Sequence, residues 1–141
     1  MAFKLGGERR AARYLAATMV GAIGSQPDLI VAVPATRRAL SERGFNTALE
    51  LAKPLGRHIG APVRMPLRKV RDTADQAGLG REARMRNLAI AFACAPVDGL
   101  VLLVDDVLTT GATADACAKA LREAGADRVD VITFGRAGGG T

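Results

Sequence analysis

The segment that decides the fold runs from Val101 to Thr113 and reads Val-Leu-Leu-Val-Asp-Asp-Val-Leu-Thr-Thr-Gly-Ala-Thr. It joins an apolar strand to two adjacent carboxylates, a hydroxyl-rich turn and the start of a helix. Residues 100–104 are apolar at every position, which is typical of a strand buried on both faces within a parallel sheet. Asp105 and Asp106 follow at the carboxyl end of that strand, where open α/β sheets place their ligands. The segment therefore predicts a ligand site at one edge of a parallel sheet.

The turn after the two carboxylates has the chemistry of an anion site. Its backbone N–H groups and hydroxyls can surround a phosphate at the start of a helix, whose dipole favours negative charge. Carboxylates do not bind phosphate, but they accept hydrogen bonds from neighbouring hydroxyls such as those of a ribose ring. The segment thus suits a ribose 5′-phosphate, with Asp105 and Asp106 for the ribose. The phosphate would lie at Thr109, Thr110, Gly111, Ala112 and Thr113. The alternative is an ordinary strand end followed by a turn and a helix cap.

These thirteen residues resemble the ribose-phosphate motif of the type I phosphoribosyltransferases, and other segments narrow the resemblance. The segments are Lys4-Leu5-Gly6-Gly7-Glu8, Val33-Pro34-Ala35-Thr36-Arg37-Arg38, Arg43-Gly44-Phe45-Asn46, Arg71-Asp72-Thr73, Gln76, Leu79, Arg84, Asn87 and Ala91-Phe92. Taken in order, they resemble the ComF family (competence protein F), phosphoribosyltransferase-like proteins linked to DNA uptake in competent bacteria. The resemblance covers nearly the whole chain. It implies an α/β domain of type I phosphoribosyltransferase fold, with a doubly wound, mostly parallel sheet flanked by helices.

The resemblance also implies where phosphoribosyl pyrophosphate would bind. The pyrophosphate-binding loop would be Ala35, Thr36, Arg37 and Arg38, although an exposed basic loop is the alternative. Residues 66–87 resemble the family's flexible lid, with Arg71, Gln76 and Arg84 as the ligand contacts. A basic surface loop without catalytic duty is the alternative there. Mg²⁺ would reach the protein through the ligand and through water near Asp105 and Asp106, with no direct protein ligand.

The reaction implied is displacement of pyrophosphate from the sugar by a nitrogen acceptor, with Asp105 and Asp106 as the catalytic carboxylates. Enzymes that act on 6-oxopurines commonly carry a carboxylate where this chain has Thr109, so such an acceptor is disfavoured. Little sequence remains for a hood that would recognise the acceptor. A non-catalytic binding or docking module of the DNA-uptake machinery is therefore the alternative to an enzyme.

The composition of the chain indicates which classes of binding partner are favoured. The chain has 141 residues, a formal net charge of +6 and only five aromatic residues, four Phe and one Tyr. Anionic partners are favoured, but the few aromatics give poor support to a surface that stacks nucleic-acid bases. Direct nucleic-acid binding therefore ranks below a ribose phosphate. Its candidates are Arg64, Arg68, Lys69, Arg71, Arg81, Arg84 and Arg86. Competence-machinery proteins and a second copy of the chain are the other partners considered.

The family's members commonly carry an amino-terminal cysteine-rich zinc-binding segment. This chain has only two cysteines, Cys94 and Cys117, and one histidine, His58, so we expect no zinc site in it. The cysteines are expected to be buried apolar residues rather than a disulfide, and His58 a surface or capping residue. Because no apolar run approaches membrane-spanning length and no signal-type segment is present, we expect no membrane span and a cytoplasmic protein.

Local patterns predict the elements of a single domain over residues 1–141. Helices are expected at 7–24, 45–59 and 113–124, with Pro54 kinking or breaking the second and Gly125 capping the third. Strands are expected at 29–33, 62–65, 89–93, 100–104 and 128–134, and a mobile tail at 136–141.

Overall fold

The computed structural model describes residues 2–70, 92–106 and 111–133, apart from the side chains of residues 2–9. The helices are α1 (Ala2–Met19), α2 (Arg37–Arg43), α3 (Thr47–Ile59) and α4 (Ala112–Glu123), with one 3₁₀ turn at Val20–Ala22. The strands are β1 (Leu29–Ala32), β2 (Val63–Arg64), β3 (Leu67–Lys69), β4 (Phe92–Cys94), β5 (Leu100–Asp105) and β6 (Arg128–Thr133).

Four strands form a parallel sheet in the order β2-β1-β5-β6. Ala32 at the end of β1 pairs with Val104 near the end of β5, and Asp105 pairs with Thr133. The backbone N–H of Val33 also donates to Val104 at 2.9 Å. The strand ends are therefore aligned, and the connections that leave β1 and β5 begin side by side.

The two faces of the sheet are covered by different elements. Along β1, Ile30 and Ala32 pack in a cluster with α1 and α3, whereas Leu29 and Val31 pack in a second cluster with α4, β3 and β4. The side chain of Ile30 is completely buried, and burial of such a side chain stabilises the fold by roughly 1.5–3 kcal/mol. Helices on both faces confirm the predicted doubly wound α/β architecture. In the described ranges, no helix combines the length and apolar character needed to cross a membrane.

Helix α1 begins earlier than predicted, at Ala2, and ends at Met19 before the 3₁₀ turn. Ala12 and Ala16 of this helix are buried, but Leu15 is exposed. From residue 10 onward, the buried positions of α1 are therefore both alanine. These small side chains allow the helix to pack closely on α3.

Helix α2 was not predicted, and α3 begins later than predicted. The Thr36 hydroxyl caps α2 by accepting from the N–H of Ala39, and Gly44 ends the helix at a φ of 80°. A helix of seven residues shows too little periodicity to be recognised in the sequence. Of the kink or break predicted at Pro54, the break is wrong, because α3 continues through this buried residue to Ile59.

The segment predicted as a lid at 66–87 begins with a strand instead of a loop. Leu67 of β3 pairs with Cys94 of β4, and Lys69 pairs with Phe92, in an antiparallel ribbon. Leu67 and Phe92 are buried against the α4 face of the sheet, which holds this ribbon in place. The predicted lid contacts Arg71, Gln76 and Arg84 lie outside the described residues, as does the tail at 136–141.

The carboxyl end of α4 confirms the predicted glycine cap. The N–H of Gly125 donates to Arg122 and the N–H of Ala126 donates to Leu121, which is the hydrogen-bond pattern of a Schellman motif. Gly125 has a φ of 123°, a conformation that other residues rarely adopt. The chain therefore turns sharply from α4 into β6.

Candidate functional site

A cavity of about 400 Å³ lies where β1 and β5 end. It is bounded by the connection after β1, by the junction of α2 with α3, and by the start of α4. Six of the residues predicted as ligand contacts line it: Ala35, Thr36, Asp105, Asp106, Gly111 and Thr113. The structure therefore brings the predicted ribose, phosphate and pyrophosphate segments to one place.

Asp105 is the last residue of β5 and the most buried carboxylate of the site, with 9% of its surface exposed. Its side chain accepts a hydrogen bond from the backbone N–H of Asp106 at 2.9 Å. The pKa of Asp105 is raised to about 6, first by burial and then by the hydrogen bond and the charge of the adjacent Asp106 side chain. The backbone hydrogen bond from Asp106 opposes this shift. Near neutral pH the Asp105 carboxylate is therefore largely ionised.

Asp106 is paired with Arg43, the last residue of α2. The Nη1 atom of Arg43 lies 3.3 Å from Oδ2 of Asp106 and donates to the Thr47 hydroxyl at 2.9 Å. Exposed pairs of this kind stabilise a fold by about 1 kcal/mol or less, so the contact matters more for the charge of the site than for stability. Among the described residues that line the cavity, Arg43 is the only cation.

Asn46 links the connection after β1 to the first turn of α3. Its side-chain N–H donates to the carbonyl oxygen of Val33 at 3.1 Å, and its oxygen accepts from the N–H of Leu49 at 3.2 Å. Phe45 beside it also lines the cavity. The segment Arg43-Gly44-Phe45-Asn46 contributes to the family resemblance, but the sequence alone predicts no role for its residues. The helix-capping pattern, Thr36 before α2 and Asn46 before α3, was the signal that could have revealed both helix starts.

The predicted pyrophosphate residues fall into two groups. Ala35 and Thr36 line the cavity, whereas Arg37 and Arg38 are the first two residues of α2 and are exposed. Nε of Arg38 pairs with Oε1 of Glu42 at 3.0 Å, along the helix. Neither arginine is among the residues that line the cavity.

The predicted phosphate-binding turn is described at its last three residues. Gly111 precedes α4 with a φ of 82°, and its carbonyl oxygen accepts from the N–H of Asp115. Ala112 begins the helix, and Gly111 and Thr113 line the cavity. Thr109 and Thr110 lie outside the described residues. The positive end of the α4 dipole is therefore beside the cavity, next to the two carboxylates.

Carboxylate oxygens are the ligands that Mg²⁺ prefers, and Asp105 and Asp106 supply them at this edge. Within the ranges that the structure describes, no three His, Cys, Asp or Glu side chains group as a metal site.

Comparison with known proteins gives curated relatives, although no protein-family model matches the chain. DNA utilization protein YhgH of Salmonella typhi is 43% identical over 108 residues, which cover 74% of this chain and 48% of that protein. Competence protein F of Haemophilus influenzae is 34% identical over 117 residues, which cover 79% of this chain and 51% of that protein. The chain spans about half the length of the curated relatives it matches.

Solved structures show the same fold at lower identity. Glutamine phosphoribosylpyrophosphate amidotransferase from Bacillus subtilis, complexed with ADP and GMP, matches with a TM-score of 0.64 and 22% identity. The match covers 89% of this chain and 26% of that one. UMP synthase of Leishmania donovani matches with a TM-score of 0.52 and 16% identity, over 92% of this chain and 27% of that one. The predicted type I phosphoribosyltransferase fold is confirmed. Over the region that it spans, the chain therefore belongs to the ComF family, with competence protein F and DNA utilization protein YhgH as its homologues.

Proposed function

We propose that this domain binds phosphoribosyl pyrophosphate together with Mg²⁺ and transfers the phosphoribosyl group to a nitrogen acceptor, in a process linked to DNA uptake. The observation that carries the proposal is the convergence of three segments on one cavity. Asp105 and Asp106 lie beside the start of α4 and beside the connection after β1. A ribose that carries phosphate at one end and diphosphate at the other needs these three kinds of group together.

Each segment has a distinct part in binding. Asp105 and Asp106 accept hydrogen bonds from the ribose hydroxyls. The predicted phosphate-binding segment, residues 109–113, holds the 5′-phosphate with backbone N–H groups, with hydroxyls and with the dipole of α4. Ala35 and Thr36 are small residues that let the diphosphate approach the backbone closely.

In the transfer step, a nitrogen lone pair forms a bond to the anomeric carbon while the bond from that carbon to the diphosphate oxygen breaks. Positive charge grows on the ribose as pyrophosphate leaves, and the two fixed carboxylates stabilise it. Bound Mg²⁺ would neutralise charge on the diphosphate. Asp105 contributes its full negative charge only above its pKa of about 6, so both binding and transfer should weaken in acid.

A second candidate is a non-catalytic module that keeps the ligand pocket as a sensor or docking surface for DNA uptake. The names of the relatives favour it, since they describe competence and DNA utilization rather than group transfer. Both candidates need the same pocket. They differ in whether pyrophosphate is released in the presence of an acceptor.

The binding test is calorimetric titration of phosphoribosyl pyrophosphate with Mg²⁺, beside ribose 5-phosphate. The variants are Asp106→Asn and, as a matched control, Asp115→Asn, which removes an exposed carboxylate from α4. We expect Mg²⁺-dependent binding that Asp106→Asn weakens at least tenfold and Asp115→Asn leaves unchanged. Equal affinity for wild type and Asp106→Asn would contradict the proposed site.

The second test separates the enzyme from the binding module. Pyrophosphate release from phosphoribosyl pyrophosphate would be followed over a panel of nucleobases and amines. Release that depends on one acceptor and is lost in Asp106→Asn supports transfer. Binding without release over the whole panel supports the module.

A further inference from the structure

The role of Arg43 is not accounted for by the three binding segments. It lines the cavity, whereas Arg37 and Arg38 on the same helix do not. Its guanidinium contacts Asp106, one of the two carboxylates proposed for the ribose hydroxyls. The Arg43 guanidinium therefore contacts a carboxylate that the ligand needs.

The contact is of a kind that can be exchanged. The side chain of Arg43 is 54% exposed and that of Asp106 is 28% exposed, so water competes for both. A single guanidinium nitrogen of Arg43, Nη1, contacts both Asp106 at 3.3 Å and the Thr47 hydroxyl at 2.9 Å. Arginine binds phosphate best with two parallel N–H groups, and a diphosphate carries more negative charge than one carboxylate.

We propose that Arg43 exchanges partners when ligand binds: its guanidinium leaves Asp106 and binds the diphosphate of phosphoribosyl pyrophosphate. This inference rests on the proposed function and deepens it. The exchange couples binding of the diphosphate to binding of the ribose hydroxyls, because the diphosphate draws the Arg43 guanidinium away from the ribose-binding carboxylate of Asp106. A ligand without diphosphate cannot draw it away and meets an Asp106 that is still paired. Arg43 thereby favours the activated sugar over the plain sugar phosphate.

The test compares two ligands that differ only in the diphosphate. Affinities for phosphoribosyl pyrophosphate and ribose 5-phosphate would be measured for wild type, Arg43→Ala and Arg57→Ala. Arg57 is the matched control, since it is an exposed arginine in the last turn of α3 and does not line the cavity. For Arg43→Ala we expect at least a tenfold loss of affinity for phosphoribosyl pyrophosphate, and unchanged or higher affinity for ribose 5-phosphate. Arg57→Ala should bind both ligands as wild type does.

Other outcomes would overturn the inference in distinguishable ways. If wild type binds phosphoribosyl pyrophosphate through Asp106 but Arg43→Ala binds it equally well, the exchange is wrong and the proposed function stands. Equal losses for both ligands would show that Arg43 only holds the site in shape. If wild type binds no phosphoribosyl pyrophosphate, the proposed function and the exchange fail together. Should Arg43→Ala not fold, Arg43→Lys keeps the charge but not the paired N–H groups. It should lose affinity selectively for the diphosphate ligand, and equal affinity for that ligand would contradict the exchange.

Discussion

The side-chain amide of Asn46 donates to the carbonyl oxygen of Val33 at 3.1 Å, and the same amide's oxygen caps α3 by accepting from Leu49. One residue thereby ties the end of β1 to the first turn of α3. The connection after β1 starts at Val33. This contact therefore fixes the position of the chain just before Ala35 and Thr36, the residues proposed to bind the diphosphate.

Two substitutions at Asn46 separate its donor from its acceptor. Asn46→Asp keeps an oxygen that can cap α3 but removes the N–H donated to Val33, so we expect a loss of about 1 kcal/mol in the free energy of unfolding. Asn46→Ala removes the cap as well and should cost about 2 kcal/mol. Urea unfolding measures both values. If Asn46→Asp were as stable as wild type, the hydrogen bond to Val33 would contribute nothing.

The main elements could be predicted because their signals are local. The apolar run of β5, its carboxyl-terminal Asp105 and the Gly125 cap are each readable from a few adjacent residues. The contact between Arg43 and Asp106 could not be predicted, because it joins residues 63 positions apart and depends on how α2 lies across the sheet. Strand β3 was missed for a related reason: three residues carry no usable alternation, and the pairing partner lies beyond the predicted lid.

Asp105 predicts a pH dependence of stability. Burial raises its pKa to about 6 from a usual value of 3.8, so the folded protein holds this proton more tightly than the unfolded chain. Its stabilising contribution is therefore fully present below pH 3.8 and is lost as the pH rises through about 6. Asp105→Asn removes this titration. We expect the variant to be more stable than wild type at pH 7, by an amount on the order of 2 kcal/mol.

Urea unfolding at pH 4.5 and pH 7 checks this prediction, with Asp115→Asn on the exposed face of α4 as the control. The stability advantage of Asp105→Asn should be present at pH 7 and shrink at pH 4.5. An advantage of the same size at both pH values would mean that the Asp105 carboxyl does not titrate in this range. Asp105→Asn should nevertheless bind phosphoribosyl pyrophosphate more weakly than wild type, because the variant lacks the ionised acceptor for a ribose hydroxyl.

Gly111 and Gly60 form a matched pair for testing the start of α4. Both have left-handed φ angles, 82° and 72°, so alanine at either position costs about 1 kcal/mol of stability. Only Gly111 lines the cavity, whereas Gly60 caps α3 and a Cβ there would meet nothing within 4 Å. We expect Gly111→Ala to weaken phosphoribosyl pyrophosphate binding at least tenfold and Gly60→Ala to leave it unchanged. Equal binding by both variants would argue against phosphate contact at this turn.

The two thiols predict contrasting reactivity. Cys117 is completely buried on α4, and burial, with the negative charge of Asp105 beside it, raises the pKa of its thiol to about 12. At pH 8 its thiolate fraction is therefore about a thousandfold below that of an ordinary cysteine. Cys94 on β4 is only partly buried, and burial raises the pKa of its thiol as well. With a disulfide reagent at pH 8, native Cys117→Ser should still label slowly at Cys94, whereas native Cys94→Ser should not label until urea unfolds it. Labelling of native Cys94→Ser at the rate of Cys117→Ser would mean that α4 leaves the sheet far more often than its packing implies.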